Sequence, residues 1–181
     1  MTTEPGQIPM QDPLAYFITW TTYGAWLPGD ERGWFAKPGQ FRPPDEKRRQ
    51  EAQALMTEPA LTLDPEQRSI IEATIVQHCR IRAWHLHVVN ARTQHVHVVV
   101  TAPGRNPDDV TDQFKAWCTR KLKELERVRN PSNGVIRQNW WTQRGSKRWL
   151  NTEKSLEESI TYVRDLQGSP TPHAADPRTQ A

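Results

Sequence analysis

The segments AWHLHVVN (residues 83–90) and HVHVVVTA (95–102), separated by ARTQ (91–94), decide how this chain folds. Both are short and rich in β-branched residues, so they read as two strands of a β-hairpin turning at Ala91–Gln94. Successive side chains of a strand point to opposite faces. His95 and His97 therefore project together, and Val96, Val98 and Val100 project the other way. Two imidazoles at this spacing, with Cα atoms about 6–7 Å apart, can share one divalent cation. The same pattern also suits two polar residues on a half-exposed strand. A second pair, His85 and His87, lies on the preceding strand. An even loop pairs Asn90 with His95, sets Leu86, Val88 and Asn90 beside His95 and His97, and turns His85 and His87 to the opposite face. A one-residue slip gathers all four histidines and makes the chain read as an unrelated zinc hydrolase.

Working outward, Ala15–Leu27 (AYFITWTTYGAWL) has the β-branched and aromatic content of a first strand. Residues 28–64 are broken by Pro-Gly and Pro-Pro steps and read as a long loop, with at most a short helix around Asp45–Leu55. Asp64-Pro65-Glu66 is a helix start, and apolar positions 70, 71, 75 and 79 carry that helix to about Arg80. After the hairpin, Asp108 or Asp109 caps a second long helix with the stripe Val110, Phe114, Trp117, Leu122, Leu125 and Val128. Val135–Leu150 reads as a strand pair or ribbon around a turn at Gly145. Asn151 or Thr152 caps a last helix, Glu153–Gln167, ended by Gly168. The order predicts an α+β fold, one antiparallel sheet with helices packed on it. The organisation expected is a disordered arm (1–13), one domain (14–168) carrying the 28–64 loop as an insertion, and a disordered tail (169–181).

Composition narrows the function classes. The chain has 181 residues, a size for one domain. It contains no run of about 20 apolar residues that could span a membrane. Met1–Pro13 includes Glu4 and Asp12 and no hydrophobic run, so no secretory signal is expected and the protein reads as cytoplasmic. Cys79 and Cys118 sit in helical patterns and read as buried reduced thiols. Net charge is only +3, but residues 111–150 hold ten Lys/Arg against three acids. A basic block on a mildly acidic body suggests a polyanionic partner. Eight tryptophans are many for this length, and any that are exposed could stack on unpaired bases. On the last helix, Leu156, Ile160 and Val163 make the apolar stripe. Tyr162 lies about 100° round from Val163, at the edge of that face, where its ring can pack and its hydroxyl can reach a cleft.

The ordered set His95-Val96-His97, Phe114-Lys115, Trp141-Thr142-Gln143-Arg144-Gly145 and Tyr162-Val163 resembles the single-tyrosine HUH transposases. The closest branch is the REP-associated tyrosine transposases, which resemble insertion-sequence transposases. The likeness runs from about Ala15 to Gly168. It implies a ferredoxin-like α+β domain acting on single-stranded or hairpin DNA, associated with the nucleoid, as a monomer or a homodimer. It implies that Tyr162 attacks a phosphodiester to give a 5′-phosphotyrosine and a free 3′-OH. It implies that His95 and His97 hold Mg²⁺ or Mn²⁺, with a third polar ligand from the tyrosine helix. The family commonly places that ligand four residues after the tyrosine, where this chain has Leu166. Gln167 is expected to serve, with Asp165 as the alternative. Lys115, Arg120, Lys121, Lys123, Arg127, Arg144, Lys147 and Arg148 are expected to meet phosphates, or else to be plain surface charges. The competing reading is a hairpin-DNA-binding protein of the same fold without catalysis.

Overall fold

In the computed structural model, which describes residues 12–37, 39–132 and 134–165, strand β1 (Ala15–Thr22) lies at the centre of a four-stranded sheet. A two-stranded hairpin follows, β2 (Trp34–Lys37) and β3 (Gln40–Arg42), and then a short helix α1 (Glu46–Ala54). Helix α2 (Pro65–Arg82) leads into β4 (His85–Ala91) and β5 (His95–Thr101). Helix α3 (Pro107–Arg129), strand β6 (Trp141–Leu150) and helix α4 (Glu153–Asp165) complete the described chain. The sheet order is β4-β5-β1-β6 with every pairing antiparallel. Without the insertion of β2, β3 and α1, the order is βαββαβ, the ferredoxin-like arrangement, followed by α4. The expected α+β antiparallel sheet with packed helices is the fold observed.

The two faces of the sheet have different covers. Tyr16, Ile18 and Trp20 of β1 join Val96, Val98 and Val100 of β5 against Ile71 and Ile75 of α2 and Val110, Phe114, Cys118 and Leu122 of α3. Each fully buried side chain of this kind contributes roughly 1.5–3 kcal/mol relative to exposure. The opposite face is smaller: Ala15, Phe17, Val99 and Leu150 pack against Val163, Leu156 and Ile160 of α4. Helix α2 starts as its sequence dictates. The Asp64 carboxylate accepts from the Gln67 N–H at 2.8 Å, and Gln67 Oε1 accepts from the Asp64 N–H at 3.0 Å. Cys79 and Cys118 are buried thiols, and burial raises the Cys79 pKa to about 12. Among the described residues, no helix is long and apolar enough to cross a membrane.

Four expectations are corrected. Residues 28–64 are not a loop with one helix, because β2 and β3 pair within them. Phe35 opposite Phe41 supplies the aromatic cross-strand pair. Residues 135–150 are not a strand pair: β6 is one strand running through Gly145, which pairs with Trp20. Gly145 marks a close approach, since a Cβ there would stand 2.5 Å from the Thr19 carbonyl oxygen. The α3 stripe is Val110, Phe114, Cys118 and Leu122, leaving Trp117 and Val128 exposed. The last turn of α3 carries Arg129, which pairs with Asp64 and Glu66 at the start of α2. The fourth correction concerns His85 and His87. Near the turn the facing is as expected, but the register is not: Asn90 pairs with His97 rather than His95, and Val88 with Val99 rather than His97. A bulge between Leu86 and Val88 then adds one residue to β4. It brings His85 opposite Thr101, on the same face as His95 and His97. Thr101 is four residues along β5 from His97, so the two pairs stand about 13 Å apart and do not form one cluster.

Gly145→Ala is expected to lower stability by about 1–3 kcal/mol, because the sheet must shift to admit a Cβ against backbone. Urea unfolding checks this: the midpoint should fall with an unchanged slope, and an unaltered midpoint would contradict the close approach.

Candidate functional site

Strands β1 and β5 and helix α4 bring a histidine pair and a tyrosine together on the smaller face. His97 is 7% exposed, and Thr19 is its cross-strand partner. Thr19 Oγ1 and His97 Nδ1 are 2.9 Å apart in a hydrogen bond. The His95 and His97 rings have centroids 4.6 Å apart at 83°. Tyr162 presents its ring edge-on to His97, with centroids 6.0 Å apart, and is 36% exposed. Phe17 is the floor beneath them: its ring stacks with His97 at 5.8 Å and meets Tyr162 at 6.0 Å. The guanidinium of Arg148, opposite Phe17 on β6, lies 6.0 Å from the same ring.

Local sequence explains why Tyr162 sits there. Thr152 Oγ1 accepts from the Ser155 N–H at 3.2 Å and closes the first turn of α4. Leu156, Ile160 and Val163 face the sheet, which leaves Tyr162 at the edge of the buried stripe as expected. At the other end, Asn90 Nδ2 donates to the Val163 carbonyl at 3.1 Å. This bond ties α4 to β4 beside the tyrosine.

Electrostatics keep both imidazoles neutral. Burial, then the charge of His95, then that of Arg92, depress the His97 pKa to about 3. Burial, then Arg92 and Arg32, lower that of His95. Neutral imidazole is the form that ligates a metal, so no proton has to be displaced near neutral pH. The donor set therefore suits a cation at His95 and His97. Among the described residues, no group of three or more His, Cys, Asp and Glu side chains is gathered. Gln167, the expected third ligand, lies outside the described residues. The Asp165 carboxylate is exposed and bonded to Arg164 Nε at 2.9 Å.

The predicted basic residues divide between the two faces. Lys115, Arg120, Lys121 and Lys123 are on α3, across the sheet from the histidines. Lys115 Nζ donates to the Thr142 carbonyl at 2.8 Å, and burial lowers its pKa, so it joins α3 to β6. Lys121 pairs with Glu124 at 2.8 Å, and Arg120 lies 5.4 Å from the Trp117 ring. Lys123 Nζ donates to Gln138 Oε1 at 2.8 Å. Lys147 pairs with Asp108 of α3. Arg127 lies in the last turn of α3, and Arg144 is a residue of β6. Arg148 is beside the site. Trp140 is core, and Trp149 packs edge-on against Tyr16 with its surface half exposed. Thr19, Phe17 and Asn90 complete the site, and sequence reasoning did not single out the first two. Their only sequence signal is parity within β1, and that needs the β1–β5 register to become useful.

No family model matches the chain, and no curated protein matches it. Two of the solved structures similar to it are described as transposases. One is a candidate transposase from Deinococcus radiodurans, 13% identical, with TM-score 0.46, matched over 90% of this chain and 95% of that one. The other is a REP-associated tyrosine transposase bound to a REP hairpin, 13% identical, with TM-score 0.41, over 90% of this chain and 70% of that one.

The depressed His97 pKa gives stability a pH dependence of known sign. Above pH 6.5 both folded and unfolded histidine are neutral and the group contributes no slope. Below it the unfolded chain takes up a proton that the folded site refuses, so stability falls as pH falls from about 6.5 toward 3. The slope from one such group is at most about 1.4 kcal/mol per pH unit. In chelator, His97→Asn should flatten the decline of unfolding free energy between pH 6.5 and 4.5. Parallel curves for the two proteins would contradict the buried neutral assignment.

Proposed function

We propose that this chain is a metal-dependent single-stranded DNA endonuclease and strand transferase, transposase-like, that cuts near DNA hairpins through a 5′-phosphotyrosine. The observation that carries the reading is the meeting of Tyr162 with buried His97, whose ring neighbour is the half-buried, neutral His95, across the α4–β5 contact. The ordered motifs that resemble single-tyrosine HUH transposases support it from the sequence side.

The chemistry follows from the residue types. Tyr162 Oη attacks the phosphorus, an O–P bond forms to the phenol, and the P–O3′ bond breaks. The phenolic proton is lost and the departing 3′ oxygen takes one up, leaving a free 3′-OH. The new ester conserves the bond energy, so a 3′-OH can attack it and rejoin DNA without a nucleotide cofactor. The obstacle is charge, because an anionic phosphodiester repels an oxyanion nucleophile. His95 and His97 would hold a divalent cation, Mg²⁺ or Mn²⁺, which when bound supplies positive charge to the non-bridging oxygens. Gln167, with Asp165 as the alternative, is the proposed third ligand. Arg148 adds a fixed guanidinium at the same face, suited to pairing with phosphate oxygens. Thr19 orients His97: an Nδ1–H donating to Thr19 leaves Nε2 as the ligating atom. The basic residues of α3 would act on DNA passing over the other face, and would set affinity rather than chemistry.

The test is an end-labelled library of single-stranded hairpins incubated with Mn²⁺ or Mg²⁺ and resolved on a denaturing protein gel. The wild type should give a covalent protein–DNA band that chelator abolishes. Tyr162→Phe should give none while binding the same DNA, and His97→Ala should reduce the band at least about a hundredfold. Binding with no covalent band for any metal or sequence would replace this reading with that of a catalytically silent hairpin binder.

A further inference from the structure

The insertion between β1 and α2 carries an aromatic surface that nothing in the main core requires. Strands β2 and β3 form a separate two-stranded sheet, a structure that is marginal by itself. Phe35 and Phe41 pair across it with ring centroids 5.5 Å apart, yet they stay 48% and 54% exposed. Trp26 meets Phe35 edge-on at 6.5 Å. Two guanidinium planes cover indole rings at its margins: Arg32 lies 5.1 Å from Trp26 and Arg48 5.7 Å from Trp34. The hairpin segment 32–42 carries Arg32, Lys37 and Arg42, and the Asp30 carboxylate just before it pairs with Arg32 Nε at 2.7 Å and holds that guanidinium over Trp26.

This surface adjoins the histidine end of the sheet. Thr21 is the cross-strand partner of His95. The chain then leaves the sheet, with the Ala25 N–H donating to the Thr22 carbonyl at 3.2 Å. Arg32 Nη2 donates to the Ala25 carbonyl at 2.9 Å. Trp26 Nε1 donates to the Gly33 carbonyl at 2.7 Å and closes the loop that fixes the hairpin's position.

We infer that the exposed Phe35–Phe41 face, flanked by Arg32 and Arg48, is a stacking platform for unpaired nucleotides of a single DNA strand running to the His95–His97–Tyr162 site. The inference rests on the nicking reading for the identity of the strand. Exposed aromatic rings interleaved with arginines suit unpaired bases, because every base has a π-face and every linkage a negative charge. Duplex DNA offers no accessible base faces and would gain nothing from the rings.

The probe is a single-stranded oligothymidylate of about 20 nucleotides, compared with a duplex of equal length. Phe35→Ala/Phe41→Ala should bind the single strand at least about fivefold more weakly than wild type, with duplex binding unchanged. Phe35→Leu/Phe41→Leu keeps the hairpin's apolar contact but removes the π-faces. It should show a similar loss with an unaltered thermal transition, and it decides the matter if the alanine variant unfolds. Undiminished single-strand binding by the leucine variant overturns the inference, as does a wild type that does not bind the single strand. Light scattering that shows a dimer dispersed by the same substitutions would assign the face to self-association and also overturn it. The covalent band on the hairpin library is read in parallel with oligothymidylate binding for the wild type and both double variants. A covalent band with ring-independent binding would therefore defeat the platform alone, and ring-dependent binding with no covalent band would defeat the nicking reading alone.

Discussion

The register that sets Thr19 of β1 against His97 of β5 is the constraint on which the site depends. Both strands are central, so their side chains are divided between two packed faces with little freedom to slip. Valines 96, 98 and 100 are fully buried on one side. A one-residue shift would carry them to the other and would cost several side-chain burials at once. The same parity that buries the valines puts His95 and His97 under α4, beside Phe17 and Tyr162. The large core thus holds the small one in place, and the chemistry-bearing face needs few contacts of its own.

That division explains why histidines can be kept in so dry a place. Two adjacent imidazoles without opposing charge would be expensive as cations. Burial and mutual repulsion instead hold them neutral, with His97 depressed to about 3. The neutral pair costs less, because Thr19 satisfies one ring nitrogen. His78 likewise has one ring nitrogen bonded, to Gln113 at 3.0 Å, but its ring is packed among Trp84, Phe114 and Trp117. At His97, one hydrogen bond orients a ring that is left facing another imidazole and a phenol, an arrangement suited to ligation.

Much of this was legible in the chain because it depends on short periodicities. The alternation of HVHVVVTA shows which residues share a face, the Asp64-Pro65 start fixes α2, and the Leu156/Ile160/Val163 stripe leaves Tyr162 at its edge. What could not be read depends on distant backbone. Gly145 looks like a turn in sequence, and only the approach of the Thr19 carbonyl makes it a strand residue. Trp117 fits a helical stripe as well as Cys118 does, and the position of the sheet decides between them. The Leu86–Val88 bulge has no composition signal, yet it alone turns His85 and His87 toward the face that carries His95 and His97. The basic block of residues 111–150 was visible as charge. Its separation by the sheet, with Arg148 over Phe17 and α3 on the opposite face, was not.

The bulge and the insertion show where this fold tolerates irregularity. Both lie where the βαββαβ frame does not set the backbone: the bulge on edge strand β4, the insertion where β1 leaves the sheet. At the bulge, Thr101 has one hydroxyl proton and gives it to the Leu14 carbonyl. Its oxygen can then only accept from His87 Nε2, 2.8 Å away. His87 is therefore held by a structural hydrogen bond, and burial lowers its pKa. The two histidine pairs, alike in sequence, have been given different tasks by the backbone: one braces an edge strand against the start of β1, and the other faces a tyrosine. Spacing alone could not tell them apart, since the distinction is made by what each ring nitrogen meets.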